Sequence, residues 1–357
     1  MGWIGISDLY EAQLRVCPDM QSDTRKLLSR GSLLVEFEYV SPPDGGTTLV
    51  DFSAAEGWAR RLKLHLGADN RLMLVQTQEH ADSRCVIALS LPPTLGPGRL
   101  RATFSWDAAC GTARLSLEGE ALDAPMIQIA DNPFPMPVSD LVLLTRAGRR
   151  YCAGPVRVLA FADQVCPVPL PAGLHEGALV RTQSGYVPVQ DLNVGDRVVT
   201  GSGFTLPVRH LVRQSLPMVG LSRAIRLRAP YFGLQDDLIC APNYKLLLSD
   251  ERAEYMFGRE KLFVEARFLL GHRGVEELRR LRSANWVHIV LDRHADLNVA
   301  GMWAESLCIG DTLSSETLHA SSPLAHIPPA FLPLGGVPCH PTLNAFEARG
   351  LALMDVA

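Results

Sequence analysis

The chain has 357 residues, which at roughly 150 residues per domain suggests two domains. It is 47% hydrophobic and 20% charged with a formal net charge of -4, so it is neither a disordered chain nor a basic one that would draw nucleic acid. No apolar run reaches the ~18 residues of a membrane-spanning helix. Residues 1–20 lack the basic start and apolar stretch of a secretory signal, so a cytoplasmic location is expected, although a leaderless exported chain would read the same. Eight cysteines are scattered (17, 85, 110, 152, 166, 240, 308 and 339) without a C-x-x-C pair. They read as reduced thiols, and neither a metal site nor a cofactor is expected.

Residues 31–165 carry short strand-like runs separated by turn residues. Ser32-Leu-Leu-Val-Glu-Phe-Glu-Tyr-Val40 ends in alternation, with Val35, Phe37 and Tyr39 on one face and Glu36 and Glu38 on the other. Further strands are predicted over Thr48 to Phe52, Arg61 to Leu66 and Leu72 to Gln76, with a turn at Gly67-Ala-Asp-Asn70. Arg99 to Trp106 and Ala113 to Glu118 flank Asp107-Ala-Ala-Cys-Gly-Thr112, a hairpin signal. Strands at this spacing without long helical periods predict an antiparallel β-sandwich. Trp106 is expected in its core and Asp107 in the turn. The Ser-Trp-Asp step leading into an amphipathic strand resembles the laminin-G/concanavalin-like sandwich. Many members of that family bind glycans or calcium, although no convergent cluster of ligating residues is visible here.

Val165-Cys-Pro-Val-Pro-Leu-Pro171 cannot form a helix, and its prolines disfavour a central strand, so it reads as an extended linker. Two short strands follow, Ala178 to Thr182 and Tyr186 to Val189. After them come a turn at Asn193-Val-Gly-Asp196 and a third strand from Arg197 to Thr200.

This second half resembles the Hint (Hedgehog/intein) family, in particular its bacterial members outside classical inteins. That family opens with C-F-x-x-G-T and continues with V-x-x-L-x-x-G-D-x-V, which Val189, Leu192, Gly195, Asp196 and Val198 match in register. Asp237 to Leu247 is similar to the strand that carries T/S-P-x-H-x-L. Glu254 to Gly258, Val264 to Leu269, Trp286 to His294 and Ala304-Glu-Ser306 are similar to later elements, and Asn344 to Arg349 to the E-A-R tail. The resemblance implies a mainly β protein in which an N-terminal antiparallel β-sandwich (1–165) and a linker (166–172) precede an all-β Hint horseshoe (173–320) and a tail (321–357).

The family's activity is self-processing. A Cys or Ser at its first residue attacks the preceding carbonyl, while a Thr and a His polarise the scissile amide and protonate its nitrogen. Placed by the motif, the nucleophile position is Gly173 and the following Thr position is Ala178. The polarising hydroxyl falls at Ala241 and the catalytic His at Tyr244. Glycine cannot attack, and an ordinary tyrosine, with pKa near 10, is a poor proton shuttle at neutral pH. No Asp or Glu lies in residues 203–234, where Hedgehog-type domains place an acid. Cys166 is an alternative nucleophile, but seven residues of extended chain would put it roughly 20 Å from Gly173.

His288, Asp292 and His294 fall on one face of a predicted strand, with Val287, Ile289 and Leu291 on the other. They could be remnants of an active site; the plainer alternative is a solvated strand edge. Arg209, His210, Arg213, Arg223, Arg226 and Arg228 could line a basic groove or face solvent singly. Residues 276–282 are predicted as a short surface helix. Three functional readings follow. The first is a Hint protein with a degenerate site that binds an unidentified protein or glycan. The second is an active autoprocessing protein cleaving near 165–173. The third is a glycan-binding sandwich carrying a structural Hint module. None requires a nucleic acid or a membrane span.

Overall fold

The computed structural model describes all residues except 1, 12, 18–25, 172, 250, 280–282, 334–335 and 353–357. The chain forms two compact units, one built on residues 1–168 and the other on the described residues of 169–357 apart from a short segment at 219–221 and Ser283. Each has its own apolar core. Among the described residues no helix is long and apolar enough to cross a membrane.

The first unit is a two-sheet sandwich. One sheet has seven strands in the order Met126–Asp131, Thr112–Gly119, Gly98–Asp107, Arg30–Tyr39, Val156–Ala162, Trp3–Asp8, Gln13–Val16. The other has four: Thr47–Ala54, Arg60–Leu66, Arg71–Gln78 and His80–Ser90. The inward residues of both sheets (Val35, Phe37, Leu62, Leu64, Phe104, Trp106) share one core. The predicted hairpin forms with Asp107 opposite Thr112. Asp107 accepts from the Ala109 and Cys110 amides at 3.1 and 3.0 Å, which makes it a turn residue. Trp106 is fully buried, and its indole N–H donates to the Leu28 carbonyl. Gly31 is its cross-strand partner, and a Cβ there would fall 2.5 Å from the indole ring.

Alternation misplaced Glu36. Both faces of the central strand are buried, and Glu36 is 0% exposed. It is satisfied laterally: cross-strand Arg101 donates to it at 2.7 Å, and the same guanidinium reaches Glu118 on the next strand at 3.1 Å. The strand Val156–Ala162 and the nine-residue helix Val138–Arg146 were not anticipated from the sequence pattern. The strand is buried on both faces and so shows no alternation.

In the second unit, one sheet runs His210–Pro217, Ser283–Val290, Leu174–His175, Leu238–Cys240, Ile225–Leu227, Val275–Glu277. An eight-stranded sheet includes Leu179–Thr182, Gly185–Pro188, Arg197–Val199, Lys245–Ser249, Lys261–Glu265, Asp296–Val299 and Met302–Glu305. The turn at 193–196 closes as predicted, with Asp196 accepting from the Asn193 amide. One expectation fails. Val275–Glu277 is a strand, not the start of a helix, because it pairs with Ile225–Leu227; the predicted helix otherwise falls partly outside the described residues. Of the six basic residues singled out between 209 and 228, four meet acids, while Arg213 donates to the Gln190 carbonyl. Arg209 pairs with Asp292, Arg226 with Asp237 and Glu276, Arg228 with Glu276 and Arg223 with Glu277, so acids from outside the acid-free stretch neutralise them. The tail helix Ala345–Ala352 begins with a capping box: Asn344 accepts from the Glu347 amide while Glu347 accepts from the Asn344 amide.

Candidate functional site

The motif positions converge on the middle of the six-stranded sheet. Leu174 pairs with both Cys240 and Val287, which brings the start of this unit between two later strands. Immediately before it, the Gly173 carbonyl accepts from the Ala241 amide at 2.9 Å. Gly173 has φ +156°, and a Cβ there would lie 3.1 Å from His288 Cε1 and 3.3 Å from His288 Nε2. Positions 173, 241 and 288 are therefore neighbours. Ala178 is not with them. It is buried in the turn that follows, its amide donating to the His175 carbonyl and its own carbonyl accepting from the Val189 amide.

The predicted single strand over 237–247 is two strands in different sheets. Residues 241–244 form the turn between them, closed by the Tyr244 amide donating to the Ala241 carbonyl. This turn swings Tyr244 inward. Its hydroxyl donates to the Glu305 carbonyl at 2.8 Å, and burial raises its pKa well above the ordinary tyrosine value.

His288, Asp292 and His294 do not share a face. The strand ends at Val290, and beyond it the period-two pattern has no meaning. Asp292 turns to solvent and pairs with Arg209. His294 is buried, with Nδ1 accepting from the Cys339 amide at 3.0 Å and Nε2 3.6 Å from a Glu305 carboxylate oxygen. His288 is also buried, so the solvated-edge alternative fails for it, because its strand lies inside the sheet. Its Nε2 is shut off from solvent without a hydrogen-bond partner.

A cavity of about 220 Å³ opens here, lined among others by Gly173, Tyr244, Lys245, His288, Glu305 and Cys308. Glu305 was not singled out from the sequence. Its buried carboxylate accepts from the Lys245 amide at 3.1 Å, with Lys245 Nζ 3.4 Å away. The available signal was an acid at the end of the otherwise apolar strand Met302–Glu305, opposite Asp296 in the hairpin. Among the described residues no group of three or more His, Cys, Asp or Glu is placed to hold a metal. Cys166, the alternative nucleophile, belongs to the first unit. It is buried, its amide donates to Ser32 Oγ, and burial pushes its thiol up to about 11.

Burial alone depresses His288 to about 3, so it is neutral in the fold at pH 4–6 while the unfolded chain, with an ordinary pKa near 6.5, takes up a proton. The sign follows from linkage: a depressed pKa contributes stability that is complete above about pH 6.5 and is lost as pH falls toward 3. Replacing His288 with Phe is expected to flatten the fall in stability between pH 6.5 and 4 by about one proton's slope. Urea midpoints across that range measure it; an unchanged slope in a folded variant would show that His288 ionises freely.

A family model for the Hint domain matches residues 172–311. A sequence comparison with curated proteins returns no match. Among solved structures the chain is similar to the gp41-1 intein at 12% identity over 37% of this chain and 97% of that one, with a TM-score of 0.24. It is also similar to the Ruminococcus gnavus IT-sialidase CBM40 bound to alpha2,6 sialyllactose (10% identity, 46% and 93% covered, TM-score 0.26). A third likeness is to the botulinum neurotoxin serotype D/C binding domain (6% identity, 86% and 93% covered, TM-score 0.27). The family model covers the segment in which the motif elements occur in order, and residues 172–311 of this chain are a Hint domain.

Proposed function

We propose that this Hint domain no longer processes itself and that the protein acts by binding a protein or glycan. The observation that carries the reading is the buried, unpartnered Nε2 of His288 beside Gly173. Buried polar atoms are nearly always bonded, so an orphan of this kind needs a cause. A Cys or Ser at position 173 would place its side chain against this nitrogen. Glycine leaves His288 without a partner and leaves the preceding carbonyl without an attacking group.

The other two losses support the same reading. Ala241 offers only its amide, which is already bonded to the Gly173 carbonyl. Tyr244 holds its proton at neutral pH and directs its hydroxyl at Glu305. An N-to-S or N-to-O shift needs a nucleophile and a proton donor to the leaving nitrogen, and positions 173, 241 and 244 supply neither. The rival reading, cleavage by Cys166, requires a thiolate. At a pKa of about 11 only about one thiol in 10⁴ is ionised at pH 7.

Full-length protein is expected to keep its intact mass after a day at pH 7.5 with dithiothreitol or hydroxylamine. Fragments breaking near residues 165–173 would overturn the inactive reading.

A further inference from the structure

We propose that residues 336–343 are a strap that closes the cavity and holds Cys308 beneath it. The segment has no helix or strand of its own, yet it touches the rim of the cavity at successive points. Gly336 and Pro338 line the cavity directly. Cys308, half-buried and also lining it, donates its thiol proton to the Gly336 carbonyl at 3.5 Å. The two chain segments approach so closely there that a Cβ on Gly310 would fall 2.3 Å from Gly336 Cα.

The next residues tie down the strap. The Cys339 amide donates to His294 Nδ1 at 3.0 Å. His340 Nε2 lies 3.5 Å from an Asp296 carboxylate oxygen, and its ring sits edge-on to Phe263 at 5.3 Å. The Phe263 amide donates to the Pro341 carbonyl, and the Leu343 amide donates back to the Phe263 carbonyl, both at 2.8 Å. The result is one parallel bridge, Phe263 to Thr342, on the edge of the strand Lys261–Glu265.

This attachment differs from that of a core strand. Pro338 and Pro341 have no N–H to donate, which confines the segment to an edge. Its ties are a few single contacts spread over different residues, with only Leu343 buried in the core. Segments held in this way open locally while the core stays folded. Opening would release the Gly336 carbonyl from Cys308 and uncover the cavity. The strap closes the cavity equally over a reactive and an unreactive site.

The test uses the full chain and reads the alkylation rate of Cys308 by iodoacetamide with peptide mass spectrometry. Exposed Cys110 serves as the reference within the same molecule. In the double variant Cys339→Pro/His340→Ala, which removes the bond to His294 and the pair with Asp296, the Cys308 to Cys110 rate ratio is expected to rise at least tenfold. An unchanged ratio in a variant that melts as a folded protein would overturn the strap. Hydrogen exchange on the wild-type chain keeps the proposal testable if the variant fails to fold. The amides of Phe263 and Leu343 should exchange together and well ahead of Leu246 and Leu248 in the neighbouring strand. Equal protection of all four would also overturn the strap.

Discussion

The triple variant Gly173→Cys/Ala241→Thr/Tyr244→His is expected to split between residues 172 and 173 when excess thiol is present, whereas Gly173→Cys alone stays whole. In the triple variant the sulfur introduced at position 173 adds to the carbonyl carbon of residue 172. The C–N bond to residue 173 breaks, its nitrogen takes a proton, and the thioester passes to the external thiol. The new sulfur would sit beside His288, since a Cβ at 173 lies 3.3 Å from Nε2. A positioned proton donor contributes roughly 10²–10⁴ in rate, which is why the single variant is not enough. The gain is limited by strain: the backbone at 173 has φ +156°, and the added Cβ would also lie 3.1 Å from Trp286 Cβ. Conversion is therefore expected over hours, followed by intact mass. A folded triple variant that remains whole would remove 173, 241 and 244 as the reactive positions. Cleavage by Gly173→Cys alone would show that position 173 is the one essential loss.

Arg101→Ala is expected to destabilise the first unit by about 3–5 kcal/mol, because it leaves the buried Glu36 carboxylate without its ion-pair partner. Arg101 is 3% exposed and bridges Glu36 and Glu118 across three adjacent strands. The loss should depend on pH. Burial already raises the Glu118 carboxyl above its usual value, and Arg101 is the group that opposes this. A raised carboxyl contributes stability that is present below its ordinary pKa and is lost as pH rises through the folded one. Without Arg101 the folded pKa rises further, so the variant's deficit should shrink as pH falls from 7 to 5. Urea midpoints at both pH values measure this. A deficit below about 1 kcal/mol at pH 7 would mean that the carboxylates find water or other donors when the guanidinium is gone.

Local pattern determined much of this protein. The strands around Leu62, Leu64 and Leu66 and around Phe37 and Tyr39 were legible because alternate residues face one core. The Asp107 and Asn193 turns were legible because their side chains bond the backbone two or three residues away. The Hint elements and the glycine at position 173 could likewise be read from the order and spacing of residues.

Tertiary structure decided whatever depends on a partner far along the chain. Glu36 and His288 sit where alternation predicts polar, solvent-facing residues, yet both are buried because their strands lie inside sheets. One has Arg101 across the ladder, and the other has no hydrogen-bond partner for Nε2. A two-residue period groups His288, Asp292 and His294 in the sequence, but that period ends with the strand at Val290. Gly173, Ala241 and His288 are more than forty residues apart in sequence, and only the sheet makes them neighbours. The same holds for the closing of their cavity by residues 336–343. A missing nucleophile is a fact of sequence, whereas the unpartnered nitrogen beside it is a fact of packing.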